Sequence, residues 1–486
     1  MGKDGSIWVT YRDGVYDVTK YVSEHPGGKL LLQGAGGPVE GFWAQWGAHH
    51  MSEKVQQALE KLRIGRLSDS APEPDEERRG GGAWEEEQLN ACRIQNRLLT
   101  SRYCEMPYVS ETKSAAMSLS YLTPNEAFYV RNHAPVPYID PKDADSHVVT
   151  FTCGGEEVSS PTLGQLLAKY ESVSTTSVLQ CSGNRGADNI AANGVRASGF
   201  VGGPFEHIGL GLLGNACWGG VRLSEVVREL FPKSCSEDVL DSLHVTFEGL
   251  DGYSTSTPLR YVLDPANDCL LATHMNGSPL PPDHGFPARA VLPGITGARQ
   301  VKWVSNITVG PECSSAWNAN YYKDGAGGGA LQRLPMNSVI LAPEPGWLVG
   351  ARATEVQLSG VAYGGGTGSP IASVEVSADR GKSWQPARCL FEEASSRGNV
   401  SKFGWVRFEA RVELEAEGVG SVAAGHGGPL TELWCRASNE AGEQQPDVSG
   451  SHGGYFYNGY HRVPIVRLME GPASRDTFLV WNSETV

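Results

Sequence analysis

The sequence predicts a multidomain α+β protein, and three observations support this fold class. A chain of 486 residues exceeds what one hydrophobic core organises, and about 150 residues per domain suggests roughly three domains. Glycine is abundant, with 60 residues, which indicates many turns and a β-rich fold. An acidic segment with few apolar residues, 68–89, separates a small N-terminal unit from the remainder.

Composition excludes several classes of function. The net charge of −15 argues against binding to nucleic acid or to anionic membrane surfaces, so an anionic substrate would need a locally basic pocket. We find no apolar run long enough for a transmembrane helix and no secretory or transit peptide. The chain starts at MGKDGSIWVTY, almost inside its first predicted strand, so we expect the natural N-terminus to be incomplete. The 10 cysteines form no CxxC pair, which argues against a zinc ribbon and favours a reducing compartment.

Residues 1–67 predict a small α+β domain. The runs Ile7–Val9 and Val15–Val18 are typical of strands, with a turn at Asp13-Gly14. Two helical stretches follow, at Lys29–Gln33 and Phe42–His49.

Two histidines in this domain are candidate metal ligands. His25 begins a tight corner, His-Pro-Gly-Gly, where an imidazole can protrude and a flat ligand can approach the backbone. His49 ends the second helical stretch. Two such imidazoles can hold a planar metal macrocycle from both faces, and the alternative is two surface histidines.

The segment 68–89 reads as a flexible acidic linker, because proline, glycine, Asp and Glu leave almost nothing to bury. If the small domain carries electrons, such a linker allows it to visit a donor and then an acceptor. The alternative is a passive tether.

Residues 90–334 form the predicted central domain, in which Cys181 follows the strand-like run Thr175–Leu179 and precedes a polar glycine turn. A thiol at this position is held rigidly and can face a cleft, which suits a metal ligand or a nucleophile. The alternative is an ordinary buried cysteine. Further strands are expected at Phe128–His133, Val245–Glu248 and Arg299–Trp303.

Cationic and imidazole side chains recur at the ends of these predicted strands. Singly, each would be a solvated surface charge. Together they predict a pocket for a polyanion such as a phosphate, bound by arginine and by turn N–H groups. The residues concerned are Arg131, His133, His284, Arg289 and Lys302.

Residues 335–486 predict an all-β module. Four short runs alternate apolar and polar residues between Gly/Asn turns, which is typical of an immunoglobulin-like sandwich. The runs are VQLSGVAYGG, SVEVSADRGKSW, WVRFEARVEL and LTELWCRASNE.

The stretch DVTKYVSEHPGG and the second histidine make residues 5–67 resemble a cytochrome b5 domain. The resemblance implies a b-type haem with His25 and His49 as axial ligands, and His50 is the neighbouring alternative to His49. The first strand and helix of that family precede the IWVT strand and are absent here.

The motifs FYVRNHAPVP, LQCSGNR, MNGSPLPPDHGFPARAVLPGITGARQVKW and YHRV resemble the sulfite oxidase family. The resemblance implies a mixed α+β molybdopterin domain in which Cys181 ligates molybdenum, Arg131 and Tyr322 act on the substrate, and the C-terminal module dimerises. An N-terminal b5 domain matches the animal type, whereas related nitrate reductases carry it after the molybdenum domain. By the same resemblance the pterin and its phosphate are held by Tyr129, Val130, Arg131, Asn132, His133, Asp251, His284, Arg289, Gln300, Val301 and Lys302.

The resemblance implies an enzyme that oxidises sulfite to sulfate and passes electrons through the haem to an acceptor such as cytochrome c, as a homodimer in the mitochondrial intermembrane space. Two alternatives stay open. One is a molybdenum oxidoreductase acting on another small oxoanion or S-oxide, as nitrate reductases do. The other is a non-catalytic b5 electron carrier.

The sequence departs from the family at the substrate site, where three arginines and a tryptophan are usual. Arg131 supplies one arginine, but Gly186 and Thr367 stand where two others are expected, and the tryptophan has no clear counterpart. The segment Gly194–Gly214 is rebuilt and rich in glycine. Each lost charge-assisted contact costs about 1.5–3 kcal/mol. The candidates to compensate are Arg185, Arg196, Arg222 and His207.

Overall fold

The structure is a computed structural model. It describes residues 6–24, 31–32, 35–37, 39, 53–67, 89, 100–104, 108–195, 208–315, 318, 322–324, 328–391, 402–414, 430–450 and 452–468. The predicted helix 42–49 and the linker 68–88 lie outside the described residues, and the predicted helix 29–33 is described only at Leu31 and Leu32.

The N-terminal domain contains a three-stranded antiparallel sheet with the order β1-β2-β3. Its elements are strands β1 (Trp8–Tyr11), β2 (Gly14–Asp17) and β3 (Arg63–Arg66) and helix α1 (Glu53–Glu60). Because Tyr11 pairs with Gly14, the hairpin turn is Arg12-Asp13, one residue earlier than predicted. Alternate strand residues, with Val9 and Tyr16 among them, are buried in a small core.

The central domain contains three sheets. The first has the order β4-β5-β6, the second β14-β13-β10-β9 with β15 paired to β13, and the third β12-β11-β16-β7-β8. The strands are β4 (Thr100–Cys104), β5 (Val109–Thr112), β6 (Val130–Arg131), β7 (Thr150–Cys153), β8 (Glu156–Ser159), β9 (Ser172–Gln180), β10 (Leu213–Arg222), β11 (His244–Gly249), β12 (Ser254–Pro258), β13 (Leu270–Met275), β14 (Ser278–Pro279), β15 (Arg289–Val291) and β16 (Val304–Gly310).

Short helices cover these sheets. They are α2 (Ser114–Ser118), α3 (Leu163–Lys169), α4 (Gly186–Asn193), α5 (Leu223–Leu230), α6 (Glu237–Leu240) and α7 (Leu259–Leu263). Helix α3 begins with a capping box between Thr162 and Gln165, which satisfies two backbone N–H groups. Helix α5 buries one apolar face through Leu223, Val226 and Val227.

Two predicted strands differ from the structure. Residues 299–303 do not form a strand, because a 3₁₀ turn ends at Arg299 and Trp303 has a left-handed backbone with φ of 53°. Strand β16 starts only at Val304. Within the predicted strand 128–133 only β6 is extended, because the N–H of Phe128 bonds the Pro124 carbonyl in a helical-type turn.

The C-terminal domain is a sandwich of two sheets, β17-β19-β23-β22 and β18-β25-β24-β20-β21. Its strands are β17 (Asn337–Ala342), β18 (Leu348–Val349), β19 (Glu355–Tyr363), β20 (Ile371–Ser377), β21 (Gln385–Pro386), β22 (Arg388–Cys389), β23 (Val406–Glu413), β24 (Leu430–Asn439) and β25 (His461–Arg467). Each of the four predicted runs forms a strand, and alternate residues fill one core between the sheets. The predicted multidomain α+β fold class is confirmed.

The central and C-terminal domains share a hydrophobic cluster. Val178 of β9 and Leu213 of β10 pack with Val339, Val361 and Trp405 of the sandwich. The N–H of Val178 also donates to the Phe403 carbonyl at 2.9 Å. Strand β9 therefore has one neighbouring strand in its own sheet and a second set of contacts in the next domain.

Gly220 marks the closest approach of two central strands, and it allows a stability prediction. It follows a β-bulge on β10, where an added β-carbon would lie 2.1 Å from the Leu271 carbonyl oxygen. Because the paired backbone has little room to move, we expect Gly220→Ala to destabilise the central domain by roughly 1–3 kcal/mol. Differential scanning calorimetry measures this change.

Gly310→Ala is the matched control, because a β-carbon on Gly310 meets nothing within 4 Å. Its transition temperature should match that of the unmodified protein. Equal shifts for the two variants would contradict the role assigned to Gly220.

Candidate active site

Cys181 lies directly after β9, at the point where the strand enters a turn. Its N–H donates to the Leu212 carbonyl at 3.0 Å, which continues the pairing of β9 with β10. The side chain is 5% exposed and lines a cavity of about 610 Å³, including its opening to solvent. The thiol is thus held by a sheet and still reaches open space, as the sequence predicts.

The cavity brings together residues from every part of the central domain. The lining residues are Tyr129, Arg131, His133, Leu179, Cys181, Asp251, Tyr253, Asp283, His284, Arg289, Gly297, Ala298, Gln300, Val301, Lys302, Trp303 and Tyr322. Of the predicted site residues in this domain, only Val130 and Asn132 do not line it. Asn132 lies just behind the wall, where its Nδ2 donates to Asp283 Oδ1 at 2.7 Å and its Oδ1 accepts from Lys302 Nζ.

Sequence reasoning missed several lining residues, above all Tyr253 and Asp283. Tyr253 stands two residues after Asp251, and Asp283 immediately precedes His284. Asp283 therefore lies inside the motif MNGSPLPPDHGFPARAVLPGITGARQVKW, whereas Tyr253 lies just beyond the predicted site residue Asp251. Neither residue is recognisable as a site residue from the sequence, because tyrosine and aspartate are common in loops.

One wall of the cavity is cationic. Arg289 donates from Nη1 to the His284 carbonyl at 2.9 Å and from Nη2 to the Gln300 carbonyl at 3.3 Å. Its Nε is buried and has no hydrogen-bond partner among the described residues. Lys302 donates to the Asp283 carbonyl at 2.9 Å. Burial lowers the pKa of Arg289 to about 10 and also lowers the pKa of Lys302. Desolvated cations of this kind favour an anionic ligand.

Two glycines allow the chain to pack closely around this wall. A β-carbon on Gly297 would lie 2.9 Å from the Gln180 carbonyl oxygen and 3.0 Å from Tyr129 Oη. Gly285 has a φ of 108°, which only glycine adopts without strain. Neither position has room for a side chain, so both favour glycine.

Arg131, His133 and Tyr322 also line the cavity, and Arg131 adjoins the cationic wall, because Lys302 Nζ donates to the Arg131 carbonyl at 3.3 Å. His133 Nε2 and Tyr322 Oη are hydrogen-bonded at 2.9 Å, and the His133 ring stacks on Tyr253 with centroids 4.5 Å apart. Burial lowers the pKa of His133 well below its usual range, and the charges of Arg131 and Lys302 act in the same direction. Burial raises the pKa of Tyr322 well above its usual range. The imidazole and the phenol are therefore both neutral near pH 7.

Two of the candidates to replace the missing substrate arginines, Arg185 and Arg222, do not line the cavity. Arg185 is 1% exposed, and its guanidinium bonds Asp188, Asn337 and carbonyls of the C-terminal domain. Arg222 pairs with surface carboxylates. The suggestion that these two arginines compensate is therefore wrong, because both guanidinium groups already bind other partners outside the cavity. Arg196 and His207 lie outside the described residues, as do His25, His49 and His50.

Three family models match the chain. A cytochrome b5-like heme/steroid binding domain matches residues 1–68, an oxidoreductase molybdopterin binding domain residues 133–318, and a Mo-co oxidoreductase dimerisation domain residues 329–468. The chain is 34% identical to mitochondrial sulfite oxidase of Drosophila melanogaster over 94% of its own length and 78% of that protein. It is 34% identical to sulfite oxidase of Gallus gallus over 91% of this chain and 92% of that protein.

This chain belongs to the sulfite oxidase family. Within this family it is a molybdenum oxidoreductase whose cofactors are Mo-molybdopterin and haem b, as the sequence predicts. Its dimerisation domain supports a homodimer. The sulfane dehydrogenase SoxCD of Paracoccus pantotrophus shares the fold, with a TM-score of 0.58 and 22% identity over 82% of this chain and 94% of that chain. Among the described residues, no helix is long and apolar enough to cross a membrane.

The cavity of this sulfite oxidase family member fits a molybdenum cofactor. Burial raises the pKa of the Cys181 thiol, while the Arg131 charge and the Gly183 N–H act against it. A soft metal ion removes the proton outright, so a buried thiol is a suitable ligand. The unpartnered Nε of Arg289 offers a donor to a phosphate, and the cavity of about 610 Å³, including its opening to solvent, offers space for the cofactor. The donor set thus matches a thiolate-bound metal with an anionic, planar cofactor.

His284 lines the cavity, and its protonation predicts a pH dependence of stability. Burial lowers the pKa of His284 to about 3, and the Arg289 charge acts in the same direction. In the unfolded chain the pKa of histidine is about 6.5. Because the folded pKa is the lower one, the stability from neutral His284 is complete above about pH 6.5 and is lost as the pH falls toward about 3.

We expect His284 to contribute a slope of about 1.4 kcal/mol per pH unit within this window. Denaturant unfolding of the molybdenum-free protein, from about pH 7 down to about pH 4, measures the slope. His284→Asn should reduce it by the equivalent of one proton. An unchanged slope would show that His284 titrates normally in the folded protein.

Proposed function

We propose that this protein oxidises sulfite to sulfate and passes the electrons through its b5-type haem to an acceptor such as cytochrome c. The observation that carries the proposal is the cavity in which Cys181, Arg131 and Tyr322 meet. Family membership with an intact set of cofactor residues supports it. The local cationic wall explains how a chain with a net charge of −15 admits an anion.

We assign residues 1–67 to the haem domain, 68–89 to the linker, 90–334 to the molybdopterin domain and 335–486 to the dimerisation domain. The spans matched by the three family models support these boundaries. In the haem domain His25 and His49 are the proposed axial ligands, because two imidazoles suit a six-coordinate haem used for electron transfer.

Each cavity residue has a proposed task toward the cofactor. Bound molybdenum supplies the two-electron oxygen-transfer chemistry, and the protein supplies position and charge. Cys181 holds the metal as a thiolate. Arg289 and Lys302 neutralise the phosphate, and Asp251 and Gln300 hold the pterin ring with neighbouring backbone groups. The remaining proposed pterin contacts are Tyr129, Val130, Asn132, His133, His284 and Val301.

Arg131 and Tyr322 act on the substrate in this proposal. The Arg131 guanidinium belongs to a cavity-lining residue and attracts the sulfite anion. The Tyr322 phenol is kept protonated by burial, so it can donate a hydrogen bond to an oxygen of the anion. The bond between Tyr322 and His133 fixes the direction of this phenol before substrate arrives.

We infer a mitochondrial location from the relatives that carry this word in their names, among them the sulfite oxidase of Homo sapiens, which is 33% identical over 94% of this chain and 81% of that protein. The intermembrane space, where the animal-type enzyme meets cytochrome c, is the proposed compartment. The proposed assembly is the homodimer.

A second candidate substrate follows from the placement of Arg185. Because this arginine is committed to the C-terminal domain and Gly186 has no side chain, the described part of the cavity offers fewer cations than expected for a dianion. A molybdenum oxidoreductase acting on another small oxoanion or S-oxide would keep the same cofactors. The following experiment separates these candidates.

An anaerobic optical titration of the oxidised, cofactor-loaded protein tests the route from sulfite to haem. We expect sulfite to reduce the haem, and Cys181→Ser to abolish this reduction while haem content stays normal, because the metal loses its protein ligand. Activity should fall by at least about three orders of magnitude. Haem Soret and α-band absorbance measures the reduction.

Cys217→Ser is the matched control, because Cys217 lies on the adjacent strand β10 and does not line the cavity. It should retain full reduction. If dithionite reduces the haem and sulfite does not, while molybdenum is present, sulfite is not the substrate and the other molybdenum oxidoreductase is supported.

The two adjacent histidines allow a separate test of the haem site. His49→Ala should abolish haem binding, because one axial ligand is lost, whereas His50→Ala should retain it. The ratio of Soret absorbance to protein absorbance measures haem content. The reverse result would identify His50 as the ligand.

A further inference from the structure

Alternate residues around Cys181 contact different domains. Leu179 and Cys181 line the cavity, as expected for neighbours on one face of a strand. Val178 and Gln180 point the other way, toward the C-terminal domain. Val178 packs in the shared hydrophobic cluster, and Gln180 Oε1 accepts a hydrogen bond from Tyr363 Oη of β19. The face of this strand that points away from the cavity is therefore held by the C-terminal domain. We call these contacts of segment 178–185 with the C-terminal domain the clamp.

The turn after Cys181 is held by the same domain. The N–H of Phe456 donates to the Ser182 carbonyl at 2.9 Å. Arg185 then adopts a left-handed backbone with φ of 61°, which directs its side chain into the domain boundary. Its Nη1 donates to Asn337 Oδ1 at 2.9 Å and to the Gly459 carbonyl at 2.7 Å, and its Nη2 donates to the Tyr460 carbonyl at 3.2 Å.

The Arg185 guanidinium has two further partners, Asp188 and Tyr457. Its Nε donates to Asp188 Oδ2 at 2.7 Å, and its guanidinium lies 4.9 Å from the centre of the Tyr457 ring. Only 1% of the residue is exposed. A buried guanidinium with this many acceptors is favourable only while all partners stay in place, so it strongly restricts movement of the turn.

Contacts within the central domain hold the same segment on its other side. The N–H of Arg185 donates to the Gly209 carbonyl, and Asn184 Oδ1 accepts from the Leu212 N–H at 3.0 Å. The segment 178–185 is thus bonded on both sides. Its position depends on the C-terminal domain as much as on the sheet from which it comes.

We propose that the C-terminal β-domain is a positioning element for the Cys181 thiol, acting through Arg185 and through the bond between Gln180 and Tyr363. This gives the domain a function besides the dimerisation that its family model describes. The relevance of this function to catalysis rests on the proposed role of Cys181 as metal ligand. The positioning itself is a property of the chain and is measurable without the metal.

Two variants are chosen to weaken the contacts of Gln180 and Arg185 with the C-terminal domain while keeping the fold. Tyr363→Phe removes one buried hydroxyl, and Arg185→Lys keeps the charge but loses the forked geometry that reaches several acceptors. We expect both to raise amide hydrogen exchange in segment 178–186, and alkylation of Cys181 in the metal-free protein, by about tenfold. In the cofactor-loaded protein the molybdenum-to-haem ratio should fall by about half or more, with haem content unchanged.

Tyr261→Phe is the matched control. Tyr261 is buried in the central domain, donates its hydroxyl to the Pro293 carbonyl at 2.6 Å and does not line the cavity. It should lower the melting temperature without a selective change at segment 178–186 or at Cys181. Peptide mass spectrometry reads both exchange and alkylation, with Cys269 and Cys435 as internal references for general loosening.

The outcomes separate positioning from general stability. A selective change in Tyr363→Phe or Arg185→Lys supports the proposal, and if Arg185→Lys fails to fold, Tyr363→Phe decides. If Tyr363→Phe alters all peptides equally, or matches Tyr261→Phe, the proposal is overturned. A selective change with unaltered molybdenum content would keep the positioning function and would show that the other cavity residues retain the cofactor. If Cys181→Ser left reduction of the haem by sulfite intact, the ligand role would fail while the positioning function stood, which distinguishes failure of the two proposals.

Discussion

The rest of this structure depends on keeping positive charge at the wall of a water-poor cavity. Removing an arginine or lysine from water costs several kcal/mol unless partners or a ligand compensate. The chain supplies carbonyl partners to Arg289 and Lys302 and places Asp283 and Asn132 behind them. It leaves one buried donor of Arg289 without a described partner. The unpaired Nε donor of the Arg289 cation favours an anionic ligand, and an anionic, thiolate-bound cofactor is such a ligand.

The same constraint explains the neutral groups beside the cations. Burial lowers the pKa of His133 and of His284, and the neighbouring arginine and lysine charges act in the same direction. Tyr322 keeps its proton because a phenolate would be desolvated. The site therefore places neutral imidazole and phenol groups beside its cationic side chains. A pattern of this kind is preorganised for an anionic substrate and needs little rearrangement during reaction.

The domain arrangement makes the cavity rigid at its most demanding point. Cys181 stands on a strand whose two faces meet two different domains, so neither can shift alone. Arg185 illustrates the principle: the LQCSGNR motif suggested a substrate cation, whereas the fold uses this charge to join domains. The described part of the cavity therefore has fewer cationic contacts for a substrate anion than expected. The identity of the substrate is accordingly the first question for experiment.

Local sequence determined much of this protein. Alternating runs specified the strands of the C-terminal sandwich, and the residues around Cys181, His284 and Lys302 already indicated a cofactor cavity, because each motif carries its chemistry within a few positions. Only the tertiary structure decided that Tyr253 and Asp283 complete the wall, that residues 299–303 turn rather than extend, and that Arg185 leaves the site. Those outcomes depend on contacts between residues far apart in the chain, such as Arg185 with Gly459 and Trp303 with Leu250, and no local pattern encodes such pairings.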